Sequence, residues 1–410
     1  MKKVLFIVHE YYPYGSAITN CLKPIIDEMN NQEIMVSILT RRTHQELKKY
    51  EIIDNVEIFR INDLFNIYNN KVNNSKNRFE KLYNKIILKL VWIYRTKIKK
   101  ENEGFLNIEK SIKLGKKILK NNNYDTIISC SYPFAMHKIA KELKNEFNIK
   151  WVAYQFDPHT YNHTLDNKIV SERLEEEINT FKNVDKIFLP KENYEENLKT
   201  DLKELKEKYY PIDFALIKKI DYKKLANNKK IIFTFTGTFY DDIRTPYDMF
   251  NFFENINLDY ELHLYYIAEK SMNDSILEYQ KKFKKKLVLH FNRPKEECDI
   301  ALKNSDIIIN IGNRIKNQTP SKIFEYISLG KPIVNFYNID EDTSKKVLNK
   351  YPLVLNIHKD FKTEDIKKFE EFCLANKNRL LTWKEIKERY KTAEDIAKEF
   401  IKEVNNCDGK

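Results

Sequence analysis

Short runs of β-branched and aromatic residues recur along this 410-residue chain, separated by longer amphipathic stretches. That alternation is the signature of βαβ units stacked into parallel sheets, and it leaves little room for an all-helical or all-β fold. Two series are distinguishable. The first predicts strands at 4–8, 34–39, 56–61, 126–129, 151–154 and 186–189, and the second at 231–236, 261–267, 287–291, 306–311, 332–336 and 353–357. Between them lie a stretch of alternating Glu and Lys, then Tyr209-Tyr210-Pro211-Ile212-Asp213 and Asn227-Asn228-Lys229-Lys230. This reads as an interdomain linker. Beyond Ile357 the pattern turns helical over 363–376 and 382–404 and ends in a polar tail. The expected fold class is α/β, with two doubly wound Rossmann-like domains facing a cleft. The expected divisions are a first domain at 1–208, a linker at 209–229, a second domain at 230–385, and a C-terminal helix at 386–410 that returns towards the first domain. The length suits this, at about 150 residues per domain.

Glycine occurs only seven times, where average usage of about 7% gives roughly 29. Motifs built on clustered glycines are thereby excluded, and neither GxGxxG nor GxxxxGK[ST] is present. The usual dinucleotide fingerprint and the Walker-type phosphate loop are out. No apolar run reaches the length of a membrane span or of a signal-peptide core. The five cysteines are widely spaced without a CxxC, which fits a reducing cytoplasm.

In open α/β sheets ligands bind outside the carboxyl ends of the strands, so the loops after the predicted strands are where chemistry is sought. Gly15 and Ser16 lie in His9-Glu10-Tyr11-Tyr12-Pro13-Tyr14-Gly15-Ser16-Ala17, after the first strand and before a helix. Backbone N–H groups there suit a phosphate or a sugar hydroxyl, and an ordinary βα turn is the plain alternative. Gly237 and Thr238 end the first strand of the second series, with Arg244 seven residues after Gly237. A glycine there admits a ligand to the backbone, and an arginine can grip a diphosphate with two parallel bonds. The alternative is a surface arginine after a turn. Arg293 and Gly312 follow later strands of the same series and are assigned with them to a donor ligand.

The most specific stretch is Thr319-Pro320-Ser321-Lys322-Ile323-Phe324-Glu325-Tyr326-Ile327-Ser328-Leu329-Gly330-Lys331-Pro332-Ile333-Val334. Pro320 and Ser321 start a helix, Gly330 closes it, and Pro332 opens a buried strand. Lys322 falls in the first helical turn, where a cation opposes the helix dipole and calls for an anionic ligand. Glu325 follows three residues later on the same face. A phosphate at Lys322 and a ribose diol at Glu325 describe a nucleotide.

This stretch resembles the nucleotide-sugar motif of the family 4 glycosyltransferases, which have the GT-B fold. The resemblance spans the chain, from the Pro-x-Gly loop through the strand-Gly turn and the Pro-Ser-Lys…Glu…Gly-Lys-Pro segment to the terminal helices. It implies that Arg244 and Lys322 bind the donor diphosphate and that Glu325, the later Glu of the family's Glu-x7-Glu pair, binds the ribose. Asn317 stands where the first Glu of that pair contacts the donor sugar, and Thr238 replaces the basic residue that follows the glycine in the family. In the first domain, Gln155-Phe156-Asp157-Pro158-His159-Thr160-Tyr161-Asn162-His163 follows a strand. Similar family members carry a His or Asp here facing the acceptor. Asp157 is assigned to orient or deprotonate an acceptor hydroxyl and His159 to donate to developing charge. His159 and His163 lack the rest of a metal-ligand set. Asp340-Glu341-Asp342 resembles the metal-binding Asp-x-Asp of a different transferase fold but reads as a helix start.

The net charge of +12, from 72 basic and 60 acidic residues, is unevenly placed. Residues 71–120 hold fifteen Lys/Arg against four Glu, a local +11, so the remainder nets only +1. Arg78, Lys81, Lys85 and Lys89 repeat at helical spacing while Phe79, Leu82, Ile86, Leu90 and Ile93 occupy the neighbouring flank. That basic amphipathic helix, with Tyr83, Trp92 and Tyr94, suits an anionic membrane surface. A helix packing its apolar side on the first domain satisfies the same pattern. Nucleic acid is disfavoured, since single-strand binding calls for exposed aromatics among the basic residues and here the aromatics lie largely on the apolar flank.

The expectation is therefore a cytoplasmic glycosyltransferase, peripheral at the inner face of the plasma membrane. It takes a nucleotide-diphosphate sugar as co-substrate and a lipid-linked or oligosaccharide acceptor in bacterial-type surface polysaccharide biosynthesis. The resemblance implies retention of anomeric configuration, no metal and no further cofactor. The competing expectation is a non-catalytic GT-B protein that binds a nucleotide or glycan.

Overall fold

The computed structural model describes residues 1–14, 17–98, 107–161, 167–216 and 230–406. The chain divides into two compact units, Met1–Ala215 together with Ala393–Lys410, and Leu216–Thr392. The first unit holds an eight-stranded sheet of β1 (Lys3–Ile7), β2 (Met35–Arg42), β3 (Tyr50–Ile53), β4 (Val56–Asn62), β5 (Thr126–Ser131), β6 (Lys150–Gln155), β7 (Lys186–Leu189) and β8 (Tyr209–Pro211). Its order is β3-β4-β2-β1-β5-β6-β7-β8. Every pairing is parallel except β3 with β4. Central strands of such a sheet are covered on both faces. Accordingly β1 and β5 bury almost every side chain.

The second unit holds β9 (Ile231–Thr238), β10 (Tyr260–Ile267), β11 (Leu287–Phe291), β12 (Ile307–Ile311), β13 (Ile333–Tyr337) and β14 (Val354–His358), all parallel, in the order β11-β10-β9-β12-β13-β14. The chain runs outward from β9 to β11 and then returns to the other side of β9. This places the topological switch point between β9 and β12, whose carboxyl ends are the natural ligand position. The core is aromatic, with Phe233, Phe250, Phe252, Phe253 and Phe369 fully buried against the sheet.

Two strands were not expected. Tyr50–Ile53 forms an antiparallel edge hairpin with β4 through Asp54 and Asn55, both at positive φ, as a two-residue type I′ turn requires. Tyr209–Pro211, expected as the start of a linker, pairs with β7 as the far edge of the first sheet. Proline is tolerated there because an edge strand owes no ladder bond on its outer side. The helix expected over 382–404 is broken into Trp383–Lys387 and Ala393–Asn405. Between them Tyr390 is buried and its hydroxyl donates to the Val347 carbonyl at 2.9 Å, which fixes this stretch to the second unit. Ala393–Asn405 then packs on the helix Ala17–Asn31 of the first. Its Glu403 is ion-paired with Lys150 and Lys186 beneath β6 and β7.

The basic segment does not behave as one piece. The helix Ile108–Asn121 buries Ser111, Gly115, Ile118 and Leu119 against the first unit and turns its lysines out. The helix Arg78–Ile93 packs on Leu64–Asn73, and Asn84 is the one residue it buries.

Candidate active site

In the second unit the site is built around the end of β9. Gly237 is buried there, and a side chain at this position would run into the Phe235 ring, which itself stacks on Phe239. Thr238 closes the strand half-exposed. The chain then makes a tight turn in which Tyr240 and Arg244 exchange backbone hydrogen bonds of 2.9 Å. The turn delivers the half-buried Arg244 guanidinium to Asn313, whose side-chain oxygen accepts from Nε at 3.2 Å and from Nη2 at 2.6 Å. Asn313 in turn donates to the Gln318 carbonyl at 3.2 Å, and Thr343 donates to the same carbonyl at 3.0 Å. A loop carrying Arg244, the loop after β12 and the loop after β13 are thus joined into one support.

Lys322 opens the helix Lys322–Ser328, with Pro320 and Ser321 immediately before it. The lysine is exposed overall, but its Nζ reaches back to within 3.5 Å of Thr236 Oγ1 on β9. Desolvation of that ammonium lowers its pKa; Glu325 works in the opposite direction, and the nearby Lys295 and Arg244 cations reinforce the lowering. Lys322 and Arg244 lie within electrostatic reach of each other, and two neighbouring cations of this kind can receive a multiply charged anion. Tyr326 underpins them, donating to the Thr236 carbonyl at 2.6 Å, with burial pushing its hydroxyl up to about 12. Glu325, mostly shielded, accepts from Lys295 at 3.0 Å. Gly330 ends this segment at φ +70°, and a side chain there would approach the Leu381 carbonyl to 2.5 Å.

Arg293 is exposed, one residue before the Pro294 that caps Lys295–Asn304, with Glu297 3.9 Å away. Gly312 is buried between strand end and Asp342, so close that any side chain would strike the Asp342 carboxylate. Asp342 was expected only as a helix start. It does cap Thr343–Leu348, accepting from the Lys345 amide at 2.6 Å through Oδ1, but it is wholly buried and Oδ2 has no hydrogen-bond partner among the described residues. Burial pushes its pKa up to about 6, against the opposing pull of Arg244 and Lys345. The ordinary aspartate value is about 3.9. A carboxyl whose folded-state pKa is raised contributes stability below its unfolded pKa and loses it as pH rises through the folded value. Asp342→Asn keeps an equally good cap without the buried charge. The variant is therefore expected to raise the stability of the second unit by up to about 3 kcal/mol above pH 7 and to give no gain below pH 4. Hydrogen exchange of β12 and β13 amides across pH checks this.

In the first unit the loop after β1 is tied down on several sides. Arg60 Nη2 donates to the Tyr12 carbonyl at 2.9 Å, Tyr14 donates to Glu46 at 2.8 Å, and the Tyr14 and His44 rings stack at 3.9 Å. Gly15 and Ser16 lie outside the described residues. Arg41 is buried between Glu10 and Asp63. Burial, with Arg41 and Arg95 nearby, holds His9 neutral with a pKa of about 3.

Asp157 is half-buried in the loop after β6. His159 is turned inward instead of outward: its ring stacks on Phe134 at 3.9 Å and its Nε2 meets Glu176 at 2.9 Å. Burial works against the Glu176 charge, but His159 and Lys138 outweigh it and hold that carboxyl well below its usual range. Next to it Glu177, fully buried, accepts from Gln155 at 2.7 Å and from Thr160 Oγ1 at 2.5 Å. The loop is therefore clamped by two glutamates of the helix Asn167–Phe181, and His159 belongs to the clamp. His163, the other member of the suggested metal pair, lies outside the described residues. Among the described residues no group of three or more His, Cys, Asp or Glu is arranged to hold a metal ion.

Sequence reasoning missed Thr236, Lys295, Asn313, Tyr326 and Asp342. Asn313 adjoins Gly312 and Tyr326 adjoins Glu325, so proximity to the motif was a usable signal for those two. Asp342 was marked only as a helix start, which did not reveal its burial against Gly312, and nothing local marked Lys295.

No known family's sequence profile matches the chain, and no curated protein matches it by sequence. Solved structures do. The sucrose-phosphate synthase of Thermosynechococcus elongatus matches with a TM-score of 0.67 at 11% identity over 99% of both chains. The catalytic domain of starch synthase IV from Arabidopsis thaliana, bound to ADP and acarbose, matches with a TM-score of 0.64 at 8% identity over 99% of both chains. Anabaena HepE in complex with UDP and glucose matches with a TM-score of 0.60 at 9% identity, over 99% of this chain and all of that one. The architecture is the GT-B fold, two α/β parallel-sheet domains as in these glycosyltransferases.

Proposed function

We propose that this protein is a family 4-type glycosyltransferase that moves a hexosyl group from a nucleotide-diphosphate sugar to an acceptor hydroxyl. The observation that carries the reading is the pair Arg244 and Lys322, brought together at the switch point of the second sheet with Glu325 beside them. UDP is the favoured donor nucleotide, supported by the HepE complex with UDP and glucose, and the starch synthase bound to ADP shows a second nucleoside diphosphate on the same fold. In the transfer, the bond from the anomeric carbon to the diphosphate breaks and a bond to the acceptor oxygen forms. Arg244 and Lys322 offset the charge that grows on the leaving diphosphate, an interaction stronger in the transition state than in the ground state. Glu325 reads the ribose diol, with Lys295 holding its carboxylate in place. Gly237, Thr238, Gly312, Pro320 and Ser321 form the backbone around the donor, and Arg293 lies beside its nucleoside end. Asp157 in the first unit orients the acceptor hydroxyl and takes its proton, while His159 positions that loop.

Retention of configuration, independence of metal, and a place on the cytoplasmic side in the assembly of a capsule, O-antigen or exopolysaccharide complete the proposal. The acceptor is a lipid-linked saccharide or an oligosaccharide. Asn317, half-buried at the position of the family's first Glu, favours a second reading, a protein that binds a nucleotide or glycan without turnover. A panel of UDP- and GDP-sugars decides between them. Release of nucleoside diphosphate with transfer or hydrolysis is expected for the enzyme, and saturable binding with no release in any pairing establishes the binding protein.

A further inference from the structure

The helix Arg78–Ile93 is well made. Asn77 caps it, accepting from the Glu80 amide at 2.8 Å, and the Glu80 carboxylate accepts in return from the Lys76 amide at 3.0 Å. Its inner side carries Asn84, which donates to Ser75 at 3.2 Å, with Ile87, Leu88 and Val91 half-buried around it. The apolar flank is not that side. Phe79 is 88% exposed, Leu82 58%, Tyr83 64%, Ile86 53% and Leu90 61%, and Ile93 and Tyr94 continue the strip at the helix end. At 100° per residue these positions form one continuous stripe, and Arg78, Lys81, Lys85 and Lys89 form a second stripe along its edge. All four cations are exposed, and among the described residues none of them has an ion-pair partner.

Contiguous exposed apolar area of this kind marks an interaction site. Its neighbour chooses the partner. A second copy of the same face would set two rows of unpaired cations against each other, and a neutral apolar protein groove would leave the cations unused. An anionic bilayer uses both stripes: phosphate-bearing headgroups meet the cations, and the apolar stripe enters the acyl boundary. No helix among the described residues is long and apolar enough to cross a membrane.

We infer that Arg78–Ile93 is a monotopic membrane anchor that inserts Phe79, Leu82, Tyr83, Ile86 and Leu90 into anionic lipid, and does not merely approach the surface by charge. The full-length protein is floated with phosphatidylcholine vesicles, with or without phosphatidylglycerol, at low and high salt. Wild type is expected to float with the anionic vesicles and to retain part of that binding at high salt. Lys81→Glu with Lys85→Glu and Lys89→Glu is expected to lower the partition coefficient at least roughly tenfold. Leu82→Glu with Ile86→Glu and Leu90→Glu is expected to abolish binding at low salt too, with circular dichroism and melting unchanged. A Phe79→Trp reporter is expected to shift its emission to the blue on binding. Three results overturn the inference: no flotation of wild type with anionic vesicles, full binding by the apolar triple variant, or a stable dimer in solution that Leu82→Glu dissociates.

Discussion

Lys322→Ala is expected to lower donor turnover by roughly a hundred- to a thousandfold and to leave the unfolding of both units unchanged. The two halves of that expectation have separate causes. The side chain is exposed and its bond to Thr236 is long, at 3.5 Å, so removing it opens no cavity and orphans no buried group. Its charge, in contrast, lies beside Arg244 at the end of β9, where desolvation already makes a solitary cation unfavourable. Under the proposed function, a donor diphosphate would resolve that, and further as its bond to the anomeric carbon lengthens and charge collects on the leaving oxygens. The loss should therefore appear in kcat as well as in kcat/KM. Glu325→Ala should also silence turnover, by removing the ribose contact and releasing Lys295 from its 3.0 Å partner. Arg244→Lys is a finer test, since the two bonds from the guanidinium to Asn313 are made by a planar fork that an ammonium cannot reproduce. Steady-state transfer kinetics with the preferred donor check all three. Normal rates in both Lys322→Ala and Glu325→Ala would refute the donor-site assignment.

The parts of this molecule that the sequence makes legible are those decided locally. Buried parallel strands announce themselves as apolar runs, and the segment from Pro320 to Gly330 carries its own start and stop signals, so its helix lies within a residue or two of the expected bounds. Edge elements are harder. Tyr50–Ile53 is four residues long between Lys49 and Asp54, and its best clue is the Asp54-Asn55 pair at positive φ, a turn signal weaker than Asn-Gly. Tyr209–Pro211 contains a proline, which argues for a linker until β7 is there to pair with it. His159 shows a different limit. Its burial depends on Phe134 and Glu176, which are distant in sequence, so position after a strand does not reveal that the ring points inward. The two basic helices make the same point with opposite outcomes. Both are amphipathic, yet Ile108–Asn121 covers its apolar face and Arg78–Ile93 leaves its own bare. Periodicity specifies a stripe; only the rest of the fold determines what lies against it.

Phe400→Ala is expected to destabilise the first unit by about 3–5 kcal/mol while the second unit keeps its stability. Phe400 is completely buried on the helix Ala393–Asn405, and its ring lies 4.8 Å from Phe188, 5.3 Å from Tyr154 and 6.4 Å from Phe6. Those three rings belong to β7, β6 and β1, so one side chain from the end of the chain fills the space over three central strands. Truncation removes the transfer energy of the ring and leaves a cavity that the strands, pinned by their ladders, are unable to collapse. Against a typical domain stability of about 5–15 kcal/mol, a loss of that size removes a large share. A peripheral tail would cost little when trimmed; a helix that completes a core costs the unit its cooperativity. Hydrogen exchange resolves the two, because each unit reports on its own amides. Protection should fall across β1, β6 and β7 and hold across β9 to β14. Unchanged protection in the first sheet would mean that Ala393–Asn405 only rests on a unit that is already complete, and the assignment of the terminal helix to that core would fail.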